Sequence, residues 1–163
     1  MVIIRVDSLI PSARLKKQVR ETANLIEMAF AKAAIEGRPL SINFNADDRI
    51  LTLEYYFETE EDREYYLEQM MKEKEDDYVE DFSEEIEPIF KLKWEKEISI
   101  HTIEVQASEE EVRDYIIFKP EGTSDGATMI WSESSGLYQT MHLWPLLGKV
   151  EILPLQKSPL HGY

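Results

Sequence analysis

Tyr115 to Ile152 reads YIIFKPEGTSDGATMIWSESSGLYQTMHLWPLLGKVEI. Apolar and polar residues alternate in short runs, and clusters containing Pro or Gly separate the runs, as in antiparallel strands joined by tight turns. Pro120 with Gly122 suits one turn, Ser124, Asp125 and Gly126 a second, and Ser134, Ser135 and Gly136 a third. Four strands separated by three turns is the expectation. The last, Leu137 to Leu153, is long enough that Pro145 and Gly148 must divide it, by a bulge or by a turn between two strands.

Working back toward the start, SARLKKQVRETANLIEMAFAKAAIE (12–36) places Leu15, Val19, Thr22, Ile26, Ala29, Phe30 and Ala33 at spacings of three and four, the mark of an amphipathic helix. Pro11 opens or kinks it, Gly37 can take the left-handed cap conformation, and Pro39 forbids continuation. Leu40, Ile42 and Phe44 then alternate with Ser41 and Asn43 in a half-buried strand. Asn45 to Asp48 makes a turn, and Leu51, Leu53, Tyr55 and Phe57 share one face of a second strand. A helix with a β-hairpin packed on it is the simplest arrangement. Further on, Phe90, Leu92 and Trp94 alternate with lysines. Ile98, Ile100, Ile103 and Val105 form another strand whose break in phase a bulge would explain. The fold class expected is α+β: an N-terminal amphipathic helix packed on antiparallel sheets, in one domain over 1–163 with a strand-rich part over 89–153.

The chain has 33 acidic and 18 basic residues, a formal net charge of −15, and no cysteine. Such a balance repels phosphate backbones and anionic lipid, so nucleic acid is not expected as a partner. Disulfide frameworks, thiolate metal sites and cysteine nucleophiles are excluded together. The charge is concentrated: Glu58 to Glu87 holds 15 acidic residues against three basic ones. This acidic insertion over 58–87 opens with Thr59, Glu60, Glu61 and Asp62, a capping-box pattern that starts a short helix running to about Lys74. MVIIRVDSLIP is too short an apolar run to cross a bilayer and is interrupted by Arg5 and Asp7.

Chemistry has few footholds. No Ser lies in a nucleophile elbow and no Gly-rich phosphate loop precedes a helix. His101 and His142 fall in strand-like stretches and His161 in a Pro- and Gly-containing tail, consistent with ordinary packing or surface roles. Asp76, Asp77, Glu80 and Asp81 are the candidates for a Ca²⁺ site, without EF-hand spacing. Asp47 with Asp48, and Ser124 with Asp125, read as turn formers. Trp94, Trp131 and Trp144 could line a sugar groove, but each lies in an apolar-alternating stretch, so core packing is expected.

Three motifs carry a resemblance. A helix ending in Ala33, Ala34, Ile35, Glu36, Gly37, Arg38, Pro39 and running straight into LSINF resembles the helix-to-strand junction of the H-type minor pseudopilins of type II secretion. These belong to the GspH/FimT-like family, and FimT- and FimU-type minor pilins share the junction. Phe118 to Gly126, FKPEGTSDG, is similar to that family's F-x-P-D-G-T-S turn, with Glu121 where Asp is usual. Leu147 to Ile152, LGKVEI, is similar to its closing T-G-R-V-x-I strand. The three come in the family's order and, with the helix, cover about half of the chain; the acidic insertion has no counterpart.

The resemblance implies a structural subunit of a short periplasmic filament that helps drive folded cargo through an outer-membrane pore, with no catalytic residue and no cofactor. Partners implied are the other minor and major pseudopilins and, through an N-terminal segment, the inner-membrane assembly platform. The family's basic leader, cleavage-site Gly and long apolar helix are not in this sequence. The expectation is a periplasmic domain normally anchored in the inner membrane, with Val2 to Ile10 as the trace of its apolar half. Leu15, Val19, Thr22, Ile26 and Ala29 would pack partly on the sheet and, toward the N-terminal end, on neighbouring filament helices. Phe118, Pro120, Glu121, Gly122, Gly126 and Gly148 would form the family's turns. A type IV minor pilin is the near alternative. A free-standing acidic module or hydrolase, holding Ca²⁺ or a sugar by carboxylates, is the alternative from another class.

Overall fold

The computed structural model describes residues 9–74, 85–106, 113–146 and 148–157. Helix α1 (Leu9–Glu36) carries Pro11 in its first turn, where the missing N–H has no intrahelical partner to lose, so the proline opens the helix. At the other end Gly37 takes φ +64° and the Arg38 N–H donates to the Ala33 carbonyl at 3.2 Å, a Schellman closure that turns the chain sharply into β1 (Leu40–Asn45). β1 pairs antiparallel with β2 (Ile50–Tyr55) from Leu40 opposite Tyr55 to Asn45 opposite Ile50. The turn between them is fixed by the Asp48 N–H donating to Asn45 Oδ1 at 3.0 Å, with Asn45 Nδ2 returning a bond to Asp48 at 2.8 Å. Asp47 and Asp48 are turn residues, as their chemistry suggests.

Helix α2 (Glu60–Lys74) starts where the capping pattern places it: Thr59 Oγ1 accepts the Asp62 N–H at 3.1 Å. β3 (Phe90–Lys93) lies along β2, and β5 (Tyr115–Phe118) along the far side of β1, giving one antiparallel sheet in the order β3-β2-β1-β5. The second sheet holds β4 (Ile98–Gln106), β6 (Gly126–Glu133), β7 (Leu137–Leu143) and β8 (Val150–Ile152) in that order, with β9 (Gln156–Lys157) also on β7. The break in phase after Ile100 is a bulge: the β4·β6 register shifts between Ile100 and Thr102, leaving His101 as the extra residue.

Two expectations change. Pro120–Gly122 and Ser124–Gly126 do not flank a strand; they belong to one connection that carries the chain from β5 in the first sheet to β6 in the second. The Lys119 N–H donates to the Thr123 carbonyl at 2.8 Å, and Thr123 then bridges to Leu146 and Ser124 to Phe118, so the two turns close one compact crossover. Trp144 is the other: it is 51% exposed at the tip of the β7–β8 hairpin, because Pro145 and Gly148 make a turn there that lifts it off the sheet. Trp94 and Trp131 are in the core as expected, edge to face with ring centroids 5.4 Å apart, one just past β3 and the other in β6.

Helix α1 touches β1 and β5 of one sheet and β4, β6, β7 and β8 of the other. Being covered from two directions, it buries more than one narrow stripe: Leu25 and Ala23 join Leu15, Val19, Ile26, Ala29 and Ala33 in the core. Facing them are Leu40, Ile42, Leu51, Leu53, Ile116 and Phe118 from the first sheet, and Met129, Trp131, Met141 and Leu143 from the second. Each buried Leu, Ile or Met side chain contributes roughly 1.5–3 kcal/mol of transfer free energy, which is why the helix and sheets stand or fall together.

Candidate functional site

Leu15, Val19, Thr22, Ile26 and Ala29 are all at most 1% exposed, on α1 against its own sheets. The buried polar pair among them satisfies itself: Thr22 Oγ1 donates to the Gln18 carbonyl at 2.9 Å, and Gln18 Nε2 donates to Thr22 Oγ1 at 3.4 Å. The helix face left outside carries Lys16, Arg20, Asn24, Met28, Ala31 and Ile35, polar toward the N-terminal end and apolar toward the C-terminal end, with Ile35 84% exposed.

Near its N-terminal end α1 is held by charge. Arg14 Nε lies 2.8 Å from Glu95, and its Nη1 3.8 Å from the buried Glu133 and 4.0 Å from Glu97. Burial pushes the Glu133 carboxyl up. The hydroxyl and backbone N–H of Ser135, the hydroxyl of Ser134 and the Arg14 charge outweigh it, holding the group below the ordinary carboxylate value. The turn read from the sequence at Ser134, Ser135 and Gly136 thus holds the carboxylate that anchors the helix.

The motif residues meet at the other end. Phe118 is fully buried, and its ring stands edge to face with Phe30 of α1 at 4.9 Å. Gly148, at φ +60°, lies on the same Phe30 ring: a Cβ there would sit 2.7 Å from Cδ2. One phenylalanine of the helix therefore joins the first motif turn to the closing strand. Gly122 takes φ +88° and donates its N–H to the Lys119 carbonyl at 3.1 Å, while Thr123 Oγ1 donates to Glu121 at 3.4 Å. Pro120 is the second residue of that turn, where its fixed φ suits the bend. Asp125 Oδ2 accepts the Ile117 N–H at 3.0 Å with Arg113 3.7 Å away, tying the crossover to β5. Gly126 leaves room for Gln106 and Pro145, whose atoms would stand 2.7 and 3.1 Å from an added Cβ. Sequence spacing flags these glycines but carries no sign of their partners, which are distant in the chain.

Two clefts remain. The larger, about 900 Å³ and open, lies between the outer face of the β1–β2 hairpin and the bulge of β4, with Thr52, Glu54, His101 and Asp114 on its walls. Among the described residues no group of three His, Cys, Asp or Glu side chains is placed to hold a metal ion. Asp76, Asp77, Glu80 and Asp81 lie outside the described residues, as does His161; His142 bonds Thr128 Oγ1 at 3.0 Å across β6 and β7. The smaller cleft, about 300 Å³, sits where α1 passes into β1 and β2 into α2, and Tyr55, Tyr56, Phe57 and Tyr65 line it. Tyr55 there is pushed up by burial and by its hydrogen bond with Glu36. Among the described residues no helix is long and apolar enough to cross a membrane.

A long N-terminal helix seated in antiparallel sheets, closed by Gly-dependent turns, is the pilin-like head fold, and it is the fold the sequence resemblance implies. Among solved structures the chain is similar to the minor pseudopilin EpsH from the type II secretion system of Vibrio cholerae. That match has 11% identity and a TM-score of 0.55, and covers 90% of this chain and 97% of that one. It is similar also to the type IV minor pilin FimU of Pseudomonas aeruginosa PAO1, with 12% identity, a TM-score of 0.56, and 90% and 96% of the two chains covered. No family model matches the sequence, and no curated protein does.

Proposed function

We propose that this chain is the globular head of a minor pseudopilin, a non-enzymatic subunit of the periplasmic filament of a type II secretion system that assists protein export across the outer membrane. The observation that carries the proposal is the seating of α1 in both sheets together with the Phe30–Phe118–Gly148 closure. The likeness to EpsH, which covers 90% of this chain, supports it. Its partners are then the other pseudopilins of the filament and, through an apolar helix preceding α1, the inner-membrane platform. That helix also anchors it with its head in the periplasm. The near-equal likeness to FimU favours a second reading, a type IV minor pilin. Deleting the gene in its source bacterium separates the two. Retention of normally secreted proteins in the periplasm, with surface pili intact and rescue by the full-length gene, supports the first. Loss of surface pili with secretion intact supports the second. A strain unaffected in both overturns the filament reading.

A further inference from the structure

The tyrosine-walled cleft stands apart from the helix face and closing turns on which the filament reading rests. Its walls are Pro39, Tyr55, Tyr56, Phe57 and Tyr65, with Glu58 and Asp62 exposed at the rim. The wall is pre-formed: the Tyr56 N–H donates to the Pro39 carbonyl at 3.1 Å, Tyr56 stacks on Tyr115 at 6.3 Å, and Tyr66 braces Tyr55 and Phe57 at 5.2 and 5.4 Å. Tyr65 is 61% exposed and free to receive an occupant on its ring.

We propose that this cleft docks an arginine or lysine side chain carried on a short extended segment of a partner protein, the cation resting on the tyrosine rings and facing Glu58 and Asp62. The rings of this cluster already take guanidinium groups from within the chain. Arg38 lies 4.7 Å from the Tyr66 centroid and Arg113 5.4 Å from that of Tyr115, because the negative face of an aromatic ring attracts a cation. Among the described lining residues Arg38 is the one cation, and it already lies on the Tyr66 ring. The described part of the segment that begins at the rim, Glu58 to Lys74, holds seven acidic residues against three basic ones, a field that draws in cations and turns away phosphates and carboxylates. Aromatic walls beside Pro39 also suit the prolines and aliphatic stems that flank such a cation in an extended peptide.

The test is calorimetric titration of the whole chain with a short peptide carrying two arginines flanked by prolines, and with its twin in which both arginines are glutamate. The arginine peptide is expected to bind at low salt and to weaken as salt is raised, and its twin not to bind. Asp62→Lys should abolish binding, and Tyr65→Ala, which leaves every charge in place, should weaken it about tenfold. Equal affinity for both peptides, or a Tyr65→Ala variant that binds as well as the parent, overturns the proposal, since only a diffuse acidic surface would then be at work. Concentration-dependent self-association abolished by Tyr65→Ala overturns it in favour of a second copy of the chain as occupant. Circular dichroism of each variant confirms that it is folded.

Discussion

An added methyl at Gly148 would meet the Phe30 ring at 2.7, 2.8 and 2.9 Å from three of its carbons, in a backbone conformation that L side chains rarely adopt. Phe30 cannot retreat, because its ring is set edge to face against the buried Phe118. Gly148→Ala should therefore cost about 2 kcal/mol in denaturant unfolding, from overpacking and the left-handed backbone together. Combined with Phe30→Ala, its cost should fall well below the single-variant value, because the clash is gone; simple additivity would show that the contact is not the cause. Glu133 supplies a pH-dependent contribution. Its folded-state value lies below its unfolded one, so its stabilisation is fully present above the unfolded carboxylate value of about 4.3 and is lost as pH falls through the lower folded value. Glu133→Gln should lose roughly 2 kcal/mol at neutral pH and almost nothing in strong acid, so the two stability curves should converge as pH falls through the lowered folded-state value of Glu133. Parallel curves would assign the anchoring of α1 to packing alone.

Among the elements, α2 is the one held at the margin. It is capped by Thr59 and reaches the head through Tyr66, which packs on Tyr55 and Phe57 and lies under Arg38. Replacing 58–87 with a short Gly/Ser linker should leave a domain that still melts cooperatively, with a modestly lowered midpoint from the lost Tyr66 contacts. Loss of the cooperative transition in circular dichroism would place the insertion in the core. At this scale the sequence was most legible, because helix and strand periods, the Gly37 cap, the Asn45–Asp48 turn and the phase break at His101 are local signals. What it could not reveal is pairing between distant segments. Phe90–Lys93 and Ile98–Gln106 are four residues apart yet belong to different sheets, and β5 reaches back to β1 across the whole insertion. The candidate surfaces were legible only in part. The glycines of the motifs announced themselves, while Phe30 as their common partner, the buried Glu133 in a serine-rich turn and the tyrosine-walled cleft all depend on that non-local pairing.

Among the described residues a four-stranded and a five-stranded sheet share helix α1, and Trp94 and Trp131 meet where the two come together. Among the described residues α1 is the helix whose buried side chains complete the core of both sheets, so neither sheet is expected to survive without it. In a Trp144→Phe background, which removes the exposed indole, thermal unfolding followed by tryptophan emission should coincide with that followed by far-ultraviolet circular dichroism. Separate midpoints would mean that the sheets unfold independently.

The embedding of α1 also decides how the head bears mechanical load. A pull on the N-terminal end of the helix runs along its axis, parallel to the seam it makes with both sheets, so Arg14, Leu15, Val19, Ile26 and Phe30 share the tension at once instead of letting go one after another. The helix is gripped like a tang in a handle, and a push or twist delivered to it passes into both sheets together.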